Sequence, residues 1–196
     1  MALLEGHLAS PRLRTAEPDG SHAMNAELVP VITPAHVESK LQSLRTAGWN
    51  AAARLNAADE RDLQGTRYGW VPDSVRDFQR WTARAENPDR TAWFILEAER
   101  EGTSDCAFSW DAWERMSLDA AKGDGPLGAA VRTFWDHHYP IVQHVTTYGH
   151  LSLRRDGLTI VWGMEPEFEE CSLVAGSFDE LFLLFGERSA LLRELL

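Results

Sequence analysis

The chain has two cysteines, Cys106 and Cys171, in 196 residues. A disulfide-stapled secreted scaffold needs more. Neither cysteine belongs to a CxxC pair or stands at metal spacing from a histidine, so two reduced thiols are expected. Basic charge is scarce as well: 19 Lys and Arg face 30 Asp and Glu, a formal net charge of −11. That balance argues against a nucleic-acid backbone or an anionic membrane surface as the main ligand. No apolar run approaches the roughly 20 residues that a membrane-spanning helix needs. The first twenty residues lack a basic stretch leading into a long apolar core, which makes a poor signal peptide. The expected location is the cytoplasm. Also missing are the GxGxxG and Walker phosphate loops and the GxSxG elbow of serine hydrolases. No cofactor is expected.

Hydrophobic residues make up 44% of the chain, ordinary for a globular protein and too many for disorder. Eight tryptophans supply core mass and, where exposed, anchors for a partner. Residues 1–30 read as a flexible N-terminal segment, punctuated by Pro11, Pro18, Gly20 and Pro30. Part of it, Gly20 to Met24, has the composition of a cloning scar. Residues 31–196 read as a single domain.

Thr33-Pro34 predicts a helix start, with Val37, Leu41 and Leu44 on one face and a break near Gly48. A polar helix is expected from Ala58 to about Tyr68. A further helix carrying Val75, Phe78 and Trp81 is expected to end before Asn87-Pro88. Thr91 to Glu97 reads as a central strand, apolar on both faces. Ser109 is expected to cap a short helix, Lys122 to Gly128 to form a loop, and Ala129 to His138 a helix stopped by Pro140. Strands follow at 141–146, 149–154 and 158–162, the last two joined at Asp156-Gly157, a strong hairpin signal. Leu173 to Ala175 reads as a short edge strand. Ser177 and Glu180 form a capping box for a closing helix lined by Phe178, Leu181, Phe182 and Phe185. Helices, then a strand meander, then a helix is the order of an α+β domain. We expect a mainly antiparallel sheet of about four to six strands, flanked by N-terminal helices and a C-terminal helix.

Catalytic and metal sites find little support in the residue pattern. His137, His138, His144 and His150 crowd one region, but their spacing matches no ligand pattern. Adjacent histidines at a helix end more often meet the helix dipole and solvent. Glu165, Glu167, Glu169 and Glu170 sit within six residues, and acid–base work would need a cleft and split pKa values. One loop holding all four suggests a solvated rim instead. The cysteines have no histidine near them in sequence, which leaves open a partner brought up by the fold and hence a cysteine hydrolase.

Charge distribution is more informative. From Asp156 to Leu196 nine acids face two bases, Arg188 and Arg193, so −7 of the total −11 lies in about a fifth of the chain. An acidic field steers a basic partner, and a protein that holds nucleic acid has a basic active face. The candidate steering residues are Glu165, Glu167, Glu169, Glu170 and Asp179. Tyr148, Trp162 and Phe168 are the candidate anchors. A solvated loop without a partner, with Phe168 packed beneath it, is the competing interpretation.

From about Ala58 to Leu184 the chain resembles the SUKH superfamily, the Smi/Knr-like proteins. The segments that carry the resemblance are DERDLQGTRYGWVPDSVRDF, TAWFILE, FSWDAWERMSLDAA, FWDHHYPIVQHV, YGHLSLRRDG, VWGMEPEFEE and VAGSFDELFLLF. No Gly-Gly or Asn-Gly pair follows the Phe78 helix, and the first 55 residues fit the pattern less well. The resemblance implies a single SUKH-like α+β domain without enzymatic activity. Bacterial members of that family act as immunity proteins that bind and neutralise toxins, often nucleases or deaminases; fungal members are regulatory scaffolds. The implied partner is a basic protein such as a toxin domain, not nucleic acid or membrane. The alternatives are an intracellular adaptor and an undetected hydrolase.

Overall fold

The computed structural model describes residues 33–59, 63, 65–165 and 170–196. The expectation for residues 1–30 lies outside them. The described elements run α1 (Ala35–Thr46), β1 (Asn50–Ala53), α2 (Asp73–Trp81), β2 (Thr82–Glu86), β3 (Ala92–Phe94), α3 (Glu97–Glu101) and α4 (Ala112–Ala120). They continue with α5 (Gly125–His137), β4 (His138–His144), β5 (Gly149–Arg154), β6 (Ile160–Met164), β7 (Ser172–Ala175), α6 (Phe178–Gly186) and α7 (Ala190–Leu195). Every neighbouring strand pair is antiparallel, and the strands lie in chain order from β1 to β7. The class is α+β as expected, with a seven-stranded sheet slightly wider than the four to six strands foreseen.

Helices cover both faces of this sheet. On β5, Leu151 and Leu153 alternate with His150 and Ser152, all fully or almost fully buried. Leu151 and Leu153 enter the larger core with Phe94 and Ile160, under Val37, Leu41 and Leu44 of α1, Val75 and Phe78 of α2, and the phenylalanine face of α6. Burying one such ring contributes about 2 kcal/mol, and Phe178, Phe182 and Phe185 pack against Phe78 and Phe94, the Phe94–Phe182 pair stacked and the others edge-on or tilted. On the opposite face α4 and α5 pack Trp113, Val131 and Trp135 together, and the Trp135 ring lies 5.0 Å from that of His150.

Buried polar side chains tie helices to strands. Gln79 of α2 donates to the Ile95 carbonyl and accepts from the Tyr139 hydroxyl. The Trp113 indole donates to the Gly149 carbonyl at 3.0 Å. Ser177 caps α6 by accepting from the Glu180 amide, but the Glu180 carboxylate takes the amide of Gly176 at 2.7 Å, not that of Ser177. A side chain on residue 176 would crowd that oxygen, 2.9 Å from where its Cβ would be, so glycine permits the closer partner.

Several local expectations fail for identifiable reasons. The helix expected near residues 58–68 does not form in its described part, where turns replace it. β1 reads NAAA and β2 reads TARAE, compositions with little intrinsic strand preference. They are strands because they pair with each other, Asn50 to Glu86 and Ala53 to Thr82, at one edge of the sheet. Of the loop expected at residues 122–128, the part up to Asp124 is present, and Gly125 already starts α5. Asp124 caps it by accepting from the Leu127 amide, and Pro126 sits in the first turn. α5 passes directly into β4, with Pro140 at a bulge rather than beyond a helix stop.

Candidate protein-binding surface

The turn between β4 and β5 and the connection from β6 to β7 meet at one end of the sheet. Gly149 pairs with Met164, and the Glu165 amide donates to the Tyr148 carbonyl at 3.1 Å. Tyr148 sits in the left-handed region at φ 50° and is 44% exposed. Its ring stands edge-on to Trp113 at 5.6 Å and to Phe108 at 6.4 Å. The exposed phenol is therefore backed by a tryptophan that is itself fixed to the Gly149 carbonyl. Met164, 43% exposed, lies on the opposite face of the sheet, in line with Ile160 and Trp162. Tyr148 gives an apolar spot on a packed base at the rim of the acidic connection.

Two of the candidate residues do not belong to that surface. Glu165 is 7% exposed, and its carboxylate accepts from the Ser117 hydroxyl of α4. It is an internal tie between helix and sheet and cannot steer a partner. Trp162 is 8% exposed. Its ring covers Gly149 closely enough that a Cβ there would run into it, and it lies 6.1 Å from the His144 ring. It fills the core instead of anchoring a partner.

Glu170 is exposed at the end of the connection, while Glu167, Phe168 and Glu169 lie outside the described residues. Asp179 is exposed but stands elsewhere. β7 runs from Ser172 beside Trp162 to Ala175 beside Ile160, toward the opposite end of the sheet. At about 3.3 Å per residue, its four residues put roughly 10 Å between the two ends of that strand. There the Asp179 carboxylate holds Lys40 of α1 at 2.6 Å. Asp156, in the turn between β5 and β6, lies at that far end too. The acidic tally of the C-terminal fifth is thus divided between two ends of the sheet.

Sequence reasoning missed Met164 and Lys40. Met164 was legible, because Ile160, Trp162 and Met164 alternate along one face once the strand runs past Trp162. Lys40 carries no sequence signal: it is a buried lysine whose ammonium lies between Asp179 and the rings of Phe178 and Phe182.

Among the described residues the histidines and cysteines are spread over several elements. His137 and His138 each bond a carbonyl of their own helix, Thr133 and Phe134. No group of three metal-ligating side chains gathers among the described residues. Burial pushes the Cys106 thiol up to about 12, reinforced by the nearby Glu99 carboxylate, so it stays protonated at neutral pH. The fold does bring a histidine near Cys171. A Cβ on Gly163 would lie 2.7 Å from His150 Nε2 and 3.1 Å from Cys171 Sγ. Complete burial pushes the His150 imidazole down to about 3, however. A base that weak does not hold a thiol proton at neutral pH.

No helix among the described residues is long and apolar enough to cross a membrane. Comparisons with protein-family models, with curated proteins and with solved structures find no match to this chain.

Proposed function

We propose that the chain is a non-catalytic binding protein of the toxin-immunity type, as its resemblance to the SUKH superfamily implies, and that it works by covering a basic face of its partner. One observation carries the proposal: Tyr148 is exposed on a packed base, Trp113 fixed to the Gly149 carbonyl, immediately beside an acidic connection. Charge brings a basic partner in, and exposed apolar groups backed by packed structure supply the desolvated contact that charge alone does not. Glu167, Glu169 and Glu170 are the steering residues in this proposal; Tyr148 and Phe168 are the anchors. Asp179 is left out because Lys40 holds it and because it lies toward the other end of β7.

The test is capture of the partner from the source cells with the full chain as bait, identification of that partner, and co-expression of the two. The proposal expects a partner with a basic domain whose expression alone arrests growth, with growth restored by this chain. A captured partner that is harmless on its own, or whose toxicity the chain does not relieve, overturns the immunity assignment.

A further inference from the structure

The two bases of the acidic C-terminal fifth, Arg188 and Arg193, line the same cavity. It has a volume of about 360 Å³ and lies where α6 and α7 meet the end of α1. Trp49 and Phe185 form its aromatic part, with ring centroids 5.1 Å apart, and Leu184 and Leu192 add aliphatic surface. The volume is at the small end of ligand pockets, and the combination of apolar walls with a few charged groups is usual for them.

Elsewhere in this acidic chain Arg45, Arg67, Arg76 and Arg90 are paired with carboxylates, whereas Arg100 and Arg132 donate to carbonyls. Arg188 donates through Nε to the Thr46 carbonyl at 2.8 Å. Neither its terminal nitrogens nor the Arg193 guanidinium is engaged by a carboxylate among the described residues. Arg188 also occupies an unfavourable place. The Ser189 amide bonds the Leu184 carbonyl and the Arg188 amide that of Phe185, the closing pattern of a helix in which the residue at position 188 is left-handed. Its φ is 53°. Glycine is the usual occupant because it has no Cβ to clash. Arg90, Tyr148 and Leu158 share that conformation, and at Arg188 it follows from the way α6 ends.

We infer that this cavity binds a small carboxylate with an apolar body, comparable in size to a medium-chain fatty acid. Trp49, Phe185 and Leu192 take the apolar part, and Arg188 and Arg193 take the carboxylate. Among the side chains that line the cavity, Asp89 is the one acid beside the two arginines. Guanidinium donors suit the two oxygens of a carboxylate.

The experiment titrates the full chain with decanoate and with decanol, both below their aggregation limits, by calorimetry and by the indole N–H resonance of Trp49, assigned with Trp49→Phe. Decanoate is expected to bind with a dissociation constant below about 1 mM and to shift the Trp49 resonance, with decanol at least tenfold weaker. The double variant Arg188→Gly, Arg193→Gln keeps the left-handed backbone comfortable. It should weaken decanoate about tenfold or more and leave decanol unchanged. Absence of binding, equal affinity for decanoate and decanol, or decanoate affinity unaltered in the folded double variant would each overturn the inference. The decanoate–decanol comparison on the unsubstituted chain stands even if the double variant fails to fold.

Discussion

Individual side chains explain how this acidic chain keeps polar groups inside. His150 is fully buried, with Nδ1 against the Ser152 hydroxyl at 2.8 Å and Trp135 beside it. Its pKa falls to about 3, against an unfolded value near 6.5. Between those limits the unfolded chain binds a proton that the folded chain does not, so stability is lost as pH falls below 6.5. The slope is roughly 1.4 kcal/mol per pH unit for one such group. Burial lowers the pKa of His138 and His144 in the same direction. Urea unfolding should show a loss of about 2 kcal/mol between pH 6.5 and 5 from His150 alone. His150→Gln should flatten that slope whatever its effect at neutral pH; an unchanged slope would show that His150 is not the titrating group. The Ser117–Glu165 contact is a second such case. Ser117→Ala removes a donor from a buried carboxylate and should cost about 1–3 kcal/mol in a denaturant melt. None of this was legible in the sequence, where Glu165 looked like one of four solvated glutamates and His150 like one of four histidines crowded in one region.

Elements that carry their own instructions were the ones read correctly. Val37, Leu41 and Leu44 at helical spacing, Asp156-Gly157 at a hairpin, and Ser177 ahead of four apolar α6 residues specify their structure locally. β1 and β2 do not, because alanine and arginine become strand residues only when a neighbouring strand completes the pairing. The β5–β6 pair shows the same dependence in its packing. Gly149 lies under the Trp162 ring, and the fit works only because residue 149 has no side chain. Gly149→Ala should therefore destabilise the chain by about 1–3 kcal/mol. Trp162→Leu in the same background should recover part of the loss, a coupling that a double-mutant cycle measures. Additive losses would show that the strand backbone, not the ring, sets the requirement for glycine.

At the scale of the whole molecule, the sequence tally of charge and the shape of the fold have to be combined. Nine acids in the last fifth suggested one acidic surface. The meander separates Asp156 and Asp179 from the connection after Met164, and burial removes Glu165. What the proposal leaves for a basic partner is smaller: Glu170 at the end of the connection with Tyr148 at its rim, and Glu167 and Glu169, which lie outside the described residues. The α+β class was visible in the sequence, but the division of charge between sheet ends depends on strand direction. The most direct measurement is the association rate of the purified chain with its captured partner across ionic strength, for the unsubstituted chain and for Glu167→Lys, Glu169→Lys, Glu170→Lys combined. Electrostatic steering predicts that the triple variant associates about tenfold or more slowly at low salt and that the two curves converge at high salt. Superimposable curves at every salt concentration would contradict the proposed binding surface.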